Sequence, residues 1–183
     1  MEKAIMLSIR PKWCFKIMNG EKTIEIRKKF PKDYRGWVYI YCTKEYHLWY
    51  DKTIGKFVYG MRYDAPNLNG KVVARFWCDK VEEINKIKDT IRYWCEWKNH
   101  YCGVLSEGYF EEASCLSMKE IEEYTKGKHF YAIHITKLEI FDEPKEISEF
   151  YGYTKRYKVF SDLLLPVKLT KAPQNYCYVV EGE

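Results

Sequence analysis

The sequence predicts an α+β fold, in which a mixed β-barrel carries short helices at its periphery. Stretches of alternating apolar and polar residues, which are typical of strands, recur along the chain, and three helical patterns interrupt them. A hydrophobic share of 46% excludes a disordered chain. The 183 residues are enough to bury one core, and no linker or low-complexity run divides them.

The first elements are a strand, a short helix and a second strand. Residues 5–9 are strand-like, and Pro11 suits the first turn of a helix, where its missing N–H costs nothing. Gly20 ends that helix. Four apolar residues follow helical spacing between these two positions: Trp13, Cys14, Ile17 and Met18.

The strand at residues 22–29 has one apolar and one charged face. Ile24 and Ile26 point one way, whereas Glu25 and Arg27 point the other, because side chains alternate along a strand. Lys22 has the opposite parity, so only a turn would bring its flexible side chain to the charged face. The plainer alternative is a half-buried strand with a surface ion pair.

Further strands are predicted at residues 37–43 and 71–81, and a closing strand runs from residue 129 and bends towards residue 141. Residues 82–97 predict a helix with one buried stripe, because apolar residues recur there at steps of three and four. Those residues are Ile84, Ile87, Ile91 and Trp94. Ser117 and Glu120 form a capping-box pattern that opens another short helix.

Two short motifs lie on either side of the first helix: Ser8-Ile9-Arg10-Pro11 leads into it, and Gly20-x-Lys22-x-x-Glu25-x-Arg27 follows it. In residue types, order and spacing, these motifs resemble those of the ASCH domains, which belong to the PUA-like superfamily of small β-barrels associated with RNA. The resemblance covers roughly residues 4–140. It implies a PUA-like mixed β-barrel at residues 1–141, with residues 142–183 as a C-terminal extension packed on the barrel.

The resemblance also implies a polar cleft at the Gly-x-Lys-x-x-Glu-x-Arg motif. Lys22 would supply a compact cation, Glu25 would accept hydrogen bonds from a base edge or move a proton, and Arg27 would clamp a phosphate or hold Glu25 ionised. Three residues at the start of the first helix would line the same mouth: Ser8, Arg10 and Lys12.

The family implies RNA or nucleotide binding first, and hydrolysis as an alternative. Some small bacterial ASCH proteins act as amidohydrolases on N4-acetylcytidine with a lysine, a threonine and a glutamate. Lys22 matches that lysine, but Glu25 replaces the threonine, and Ser114 is nearest to the position of the glutamate. Lys22 and Glu25 would be catalytic only in this second reading, so the sequence leaves open whether the protein is an enzyme. A protein-interaction module is the third possibility.

Composition does little to distinguish RNA binding from hydrolysis or protein interaction. The net charge of +5 and the 17% aromatic residues are compatible with RNA. Two segments that mix aromatic and basic residues, 44–59 and 151–158, are expected to form loops or short edge strands, which are either a nucleic-acid surface or cover packed over the barrel. No apolar run approaches the roughly 20 residues of a membrane helix, so we expect no membrane partner and a cytoplasmic protein. The oligomeric state is not predicted.

The seven cysteines do not predict a disulfide framework, since their number is odd and several lie in apolar strands. One cluster contains the residue types that bind zinc, but it has no Cys-x-x-Cys pair, so we expect no metal site and no cofactor. The cluster comprises Cys95, His100, Cys102 and Cys115.

Overall fold

A computed structural model describes residues 3–61, 67–87, 90–95, 100–104, 107–153 and 166–182. These residues form three α-helices: α1 (Pro11–Met18), α2 (Glu107–Ser114) and α3 (Met118–Thr125). The strands are β1 (Ala4–Ile9), β2 (Ile24–Arg27), β3 (Gly36–Cys42), β4 (His47–Asp51), β5 (Lys56–Gly60), β6 (Val72–Cys78), β7 (Val81–Ile87), β8 (Thr90–Cys95), β9 (His100–Val104), β10 (Phe130–His134), β11 (Thr136–Lys145), β12 (Phe150–Tyr153), β13 (Pro166–Lys168) and β14 (Tyr176–Glu181).

The described strands form three sheets. A seven-stranded sheet has the order β11-β6-β3-β1-β14-β12-β13, a five-stranded sheet has the order β2-β10-β7-β8-β9, and β4 pairs with β5. Sheets combined with separate helices confirm the α+β class. The described pairings do not close a sheet on itself, so the predicted PUA-like mixed β-barrel is not confirmed.

The chain divides into two compact units. The first contains residues 1–18, 36–76 and 138–183, and the second contains residues 19–35 and 77–137. None of the described helices is long and apolar enough to cross a membrane.

The first unit is built around β1, which pairs in parallel with β3 and antiparallel with β14. β12 pairs with β14, so strands from the last third of the chain continue the sheet of the first strand. Seven buried residues form a core on this sheet: Ala4, Met6, Tyr39, Tyr41, Val72, Phe150 and Val179. Residues 142–183 thus contribute both strands and core side chains, while a domain boundary at residue 141 stays a prediction.

The second unit places β10 between β2 and β7, with both pairings antiparallel. Helices α2 and α3 cover one face of this sheet, because their apolar residues belong to the same core as those of the strands. That core contains Ile24, Ile26, Ile84, Phe110, Met118, Ile121, Phe130 and Ala132. The apolar face predicted for β2 is therefore the core face.

Several predicted elements are confirmed. α1 begins at Pro11, and Gly20 follows its end with a positive φ of 75° that suits glycine. The capping box at α3 is present, since the Ser117 hydroxyl accepts from the Glu120 N–H and the Glu120 carboxylate accepts from the Ser117 N–H. Residues 44–59, predicted to form loops or short edge strands, form the β4–β5 hairpin.

The helix predicted at residues 82–97 is wrong, because β7 and β8 pair there as antiparallel strands. Ile84 and Ile91 satisfy helical spacing, but the segment is rich in β-branched and aromatic residues, which favour strands. β7 also completes the pairing of β10, so a contact distant in sequence overrides the local pattern. The long strand predicted at residues 71–81 accordingly ends at Cys78, and β7 begins at Val81.

Two other differences concern residues 107–145. The sequence pattern did not predict α2, whose residues are largely polar. The predicted closing strand is two strands, β10 and β11, which lie in different sheets. They are separated at Ile135, and Lys137 nearby has a positive φ of 43°, so the predicted bend is a change of sheet. Within the predicted C-terminal extension, the apolar residues 160 and 163–165 lie outside the described residues.

Candidate functional site

The charged face of β2 is the starting point of the candidate site. Ile24 and Ile26 enter the core of the second unit, so the alternation of the strand directs Glu25 and Arg27 to the opposite face. The register sets Glu25 opposite Ile133 and Arg27 opposite Tyr131 on β10. Arg27 Nε lies 3.0 Å from Glu25 Oε1, although its N–H is not aligned for a hydrogen bond with that oxygen.

A turn before β2 brings Lys22 to the same carboxylate. The Thr23 N–H donates to the Ala113 carbonyl, and the Thr23 carbonyl accepts from the Ile135 N–H, so the backbone is held on both sides of this residue. Lys22 Nζ then donates to the Ser114 carbonyl at 2.6 Å and lies 3.4 Å from Glu25 Oε2. Lys22, Glu25 and Arg27 therefore form one group, here called the Lys22 cluster.

The end of α2 supplies the acceptor for Lys22. Phe110 is fully buried in the core of the second unit and anchors this helix, and the Ser114 hydroxyl donates to the Phe110 carbonyl. Cys115 follows with a positive φ of 54°, and its thiol donates to the Glu21 carbonyl. Contacts in both directions thus join residues 21–23 to residues 113–115.

The Lys22 cluster is almost completely buried. The side chains of Lys22, Glu25 and Arg27 are 1%, 8% and 10% exposed. Burial lowers the pKa of Lys22, because removing the ammonium from water disfavours its charged form, and the neighbouring Glu25 opposes this shift only in part. The group is therefore not the surface ion pair of the plainer alternative.

This arrangement can do two things chemically. Arg27 and Glu25 present a planar donor group beside a carboxylate acceptor, which together match the mixed donors and acceptors of a nucleobase edge. Burial favours the free amine of Lys22, so this side chain can accept a proton at a pH where an exposed lysine is already protonated. Lowered lysine pKa values beside a specific charge partner are enriched at functional sites, although structural ion pairs also produce them.

The other three predicted site residues lie in the first unit, and each has a partner there. The Ser8 hydroxyl donates to the Pro173 carbonyl at 2.6 Å. Arg10 is exposed and pairs with Glu45 at 3.2 Å, and the Lys12 ammonium lies 4.5 Å from the centre of the Trp13 ring. Their participation in one cleft with the Lys22 cluster stays a prediction.

Sequence reasoning missed a second polar group in the second unit. Glu82 is buried on the same face of β7 as Ile84, and its carboxylate contacts His134 Nε2 at 2.8 Å and Lys80 Nζ at 2.6 Å. Burial raises the pKa of Glu82, but the hydrogen bonds of His134 and Lys80 outweigh it, so the pKa is lowered overall. The incorrect helix at residues 82–97 concealed this group, because the pairing of β7 with β10 is what brings Glu82 next to His134.

Metal binding has no support among the residues that the structure describes, where no group of three or more His, Cys, Asp or Glu side chains converges. Side chains of Cys95, His100 and Cys102 lie outside the described residues. Cys115 is partly exposed and makes the thiol contact described above.

Comparisons with known proteins give structural neighbours only. No protein-family model matches the chain, and no curated protein matches it. A crystal structure of an ASCH protein from Zymomonas mobilis aligns over 79% of this chain and 73% of its own, with 13% identity and a TM-score of 0.49. A point mutant of the Zymomonas mobilis protein aligns over 80% and 77%, with 12% identity and a TM-score of 0.48. The chain is thus similar to ASCH domain structures, which are members of the family that its Gly-x-Lys-x-x-Glu-x-Arg motif resembles.

Proposed function

We propose that this protein binds RNA or a nucleotide-like ligand at the Lys22 cluster. The observation that carries the proposal is the burial of two cationic side chains, each of which lies within 3.4 Å of the Glu25 carboxylate. Replacing a buried charged group by apolar residues is often neutral or stabilising, so stability alone is a weak reason for such a group. A ligand that needs both donors and an acceptor gives a stronger reason.

The small exposed fraction of the Lys22 cluster limits which part of RNA could contact it. Glu25 and Arg27 are only about a tenth exposed, so a duplex groove or a run of phosphates cannot reach them. Single-stranded RNA, by contrast, presents unstacked bases whose edges accept and donate hydrogen bonds. The proposed ligand is therefore one base of a single strand, or a free nucleoside or nucleotide, with basic residues elsewhere on the chain contacting phosphates.

RNA binding is expected to weaken steeply with salt, because each phosphate contact releases counterions. The measurement is fluorescence anisotropy with a pool of short single-stranded and structured RNAs, titrated from low to high salt. The decisive variant combines Lys22→Met, Glu25→Leu and Arg27→Met, which removes the cluster without leaving a buried charge unpaired. We expect it to bind at least about tenfold more weakly at every salt concentration.

The matched control is Lys119→Ala. The triple variant removes two positive charges and one negative charge, a net loss of one positive charge, and Lys119→Ala removes the same net charge from an exposed position on α3. This control is expected to bind within about twofold of the wild type. Wild-type binding that is insensitive to salt would exclude phosphate contacts, and equal binding by the triple variant would exclude the Lys22 cluster as the site.

Amide hydrolysis is the second candidate, favoured by the lowered pKa of Lys22. For N4-acetylcytidine, water adds to the acetyl carbonyl, the bond from that carbon to N4 breaks, and N4 takes up a proton, which yields cytidine and acetate. Lys22 would take the proton from water. In the family that the motif resembles, the catalytic carboxylate lies at a position close to that of Ser114. In this protein Glu25 on β2 would supply the carboxylate instead, and the Ser114 carbonyl accepts a hydrogen bond from Lys22.

The hydrolase candidate predicts that purified protein converts N4-acetylcytidine to cytidine, measured by chromatography. The rate should rise with pH through the lowered pKa of Lys22, because the free amine is the active form. Lys22→Met should abolish turnover, and it leaves Glu25 paired with Arg27. Glu112→Gln, an exposed change on α2, should not affect it. An absence of cytidine at high enzyme concentration would eliminate this activity.

A further inference from the structure

The first unit contains a pocket that is separate from the Lys22 cluster. It encloses about 280 Å³ and lies between the β4–β5 hairpin, the end of α1 and strands β6 and β11. Its lining residues are Met18, Tyr50, Phe57, Leu68, Val73, Ile140, Phe141, Asp142 and Pro144. Two of the lining residues are exposed to solvent, Tyr50 to 47% and Ile140 to 38%.

The hairpin supplies an aromatic wall. Tyr50 and Phe57 are directly opposite each other in the β4–β5 pairing, and their ring centres are 5.0 Å apart at an angle of 58°. Their side chains therefore share one face of the hairpin. On the other side of the pocket, β11 contributes the successive residues Ile140, Phe141 and Asp142, and the Phe141 ring also contacts Tyr39 of the core.

Among the described residues that line the pocket, Asp142 carries the only charged side chain. Asp142 is exposed, and within the described part of the chain no hydrogen bond or ion pair joins it to another residue. Lys145, the nearest basic residue along β11, is engaged by Glu181. The pocket thus combines aromatic and apolar walls with one negative charge, which disfavours an anion such as phosphate.

The volume of the pocket limits the size of the ligand that it can hold. Small-molecule sites usually enclose roughly 300–1,000 Å³, and they are largely apolar with a few polar groups that fix orientation. A pocket near the lower end of this range accommodates one fused ring system. A positively charged ring is attracted both by the faces of aromatic side chains and by a nearby carboxylate.

We propose that this pocket binds a planar heteroaromatic ring carrying a positive charge, in contact with the rings of Tyr50 and Phe57 and with its charge facing Asp142. The proposal is independent of the ligand at the Lys22 cluster, since none of the lining residues belongs to that cluster. A ring-methylated purine nucleoside is a member of this chemical class and provides a practical probe.

The experiment compares 1-methyladenosine, whose ring is positively charged near neutral pH, with adenosine, whose ring is neutral. Methyl-detected NMR on the full-length protein reports both the affinity and the position of each probe. 1-Methyladenosine should shift the methyl signals of Met18, Leu68, Val73 and Ile140, and it should bind at least about tenfold more tightly than adenosine.

Two conservative variants test the charge. Asp142→Asn should remove most of the preference for 1-methyladenosine, leaving less than about threefold between the probes. Glu143→Gln is the matched control, since Glu143 is the adjacent exposed carboxylate and does not line the pocket; it should keep the full preference. The triple variant of the Lys22 cluster should also keep it, which separates this proposal from the proposed function.

Three outcomes would overturn the proposal. The first is no saturable binding of 1-methyladenosine to the wild type. The second is binding with shifts confined to methyl groups outside the pocket. The third is an unchanged preference in Asp142→Asn, which would mean that the carboxylate does not select the charged ring.

Discussion

Replacing Glu25 with alanine is expected to lower the free energy of unfolding by about 3–5 kcal/mol, because it leaves two cationic side chains buried without their shared carboxylate. Lys22 can respond by losing its proton, since burial already lowers its pKa. Arg27 cannot, because a guanidinium stays charged in proteins. Most of the loss therefore comes from Arg27. Urea denaturation followed by circular dichroism measures it.

The triple variant Lys22→Met, Glu25→Leu and Arg27→Met provides the contrast. It removes all three charges and keeps similar side-chain volumes, so its stability should lie within about 2 kcal/mol of the wild type or exceed it. Glu123→Ala, an exposed change on α3, should alter stability by no more than about 0.5 kcal/mol. A stable triple variant that no longer binds ligand would mean that the cluster is retained for binding.

A small loss of stability in Glu25→Ala would contradict the burial of the Lys22 cluster. Exposed ion pairs contribute about 0–1 kcal/mol. A loss in that range would show that water solvates Lys22 and Arg27, as the plainer sequence interpretation requires. The enclosed cluster, and the argument for a single-base ligand that rests on it, would then be wrong.

The parts of this site that depend on local sequence could be predicted, whereas those that depend on contacts distant in sequence could not. The faces of β2 follow from alternation, so the burial of Ile24 and Ile26 in the core could be predicted from the sequence. The position of Lys22 could not, because its hydrogen-bond partner is the Ser114 carbonyl, 92 residues away at the end of a helix that the pattern did not predict.

The same distinction separates the helices and strands that could be predicted from those that could not. Helices α1 and α3 could be predicted because proline, glycine and a capping box act within a few residues of one another. β7 and β8 could not be distinguished from a helix by the spacing of Ile84 and Ile91, since short apolar segments satisfy both periods. The aromatic and β-branched residues of β14 favour a strand locally, but its partner β1 lies at the other end of the chain, so the pairing could not be predicted.

Replacing Phe150 with alanine is expected to cost about 3–5 kcal/mol of unfolding free energy, because a fully buried ring is removed from a close-packed core. Its ring centre lies 4.9 Å from that of Tyr39, with the two rings at 67°. Phe150→Leu, which leaves a smaller cavity, should cost less. Tyr46→Ala is the surface control, since Tyr46 is 58% exposed, and it should change stability by no more than about 0.5 kcal/mol. A loss below about 1 kcal/mol in Phe150→Ala would contradict the burial of this ring.

Hydrogen exchange on Phe150→Ala also tests the predicted boundary between residues 1–141 and residues 142–183. β12 pairs with β14, and β14 pairs with β1, so a loss of stability at Phe150 can extend through the sheet to the first strand. If β1 and β3 lose protection together with β12 and β14, the C-terminal residues fold cooperatively with the rest of the first unit. If only β12 and β14 lose protection, those residues form a separable extension. We expect the cooperative result, because Phe150 shares its core with Ala4, Met6 and Tyr39.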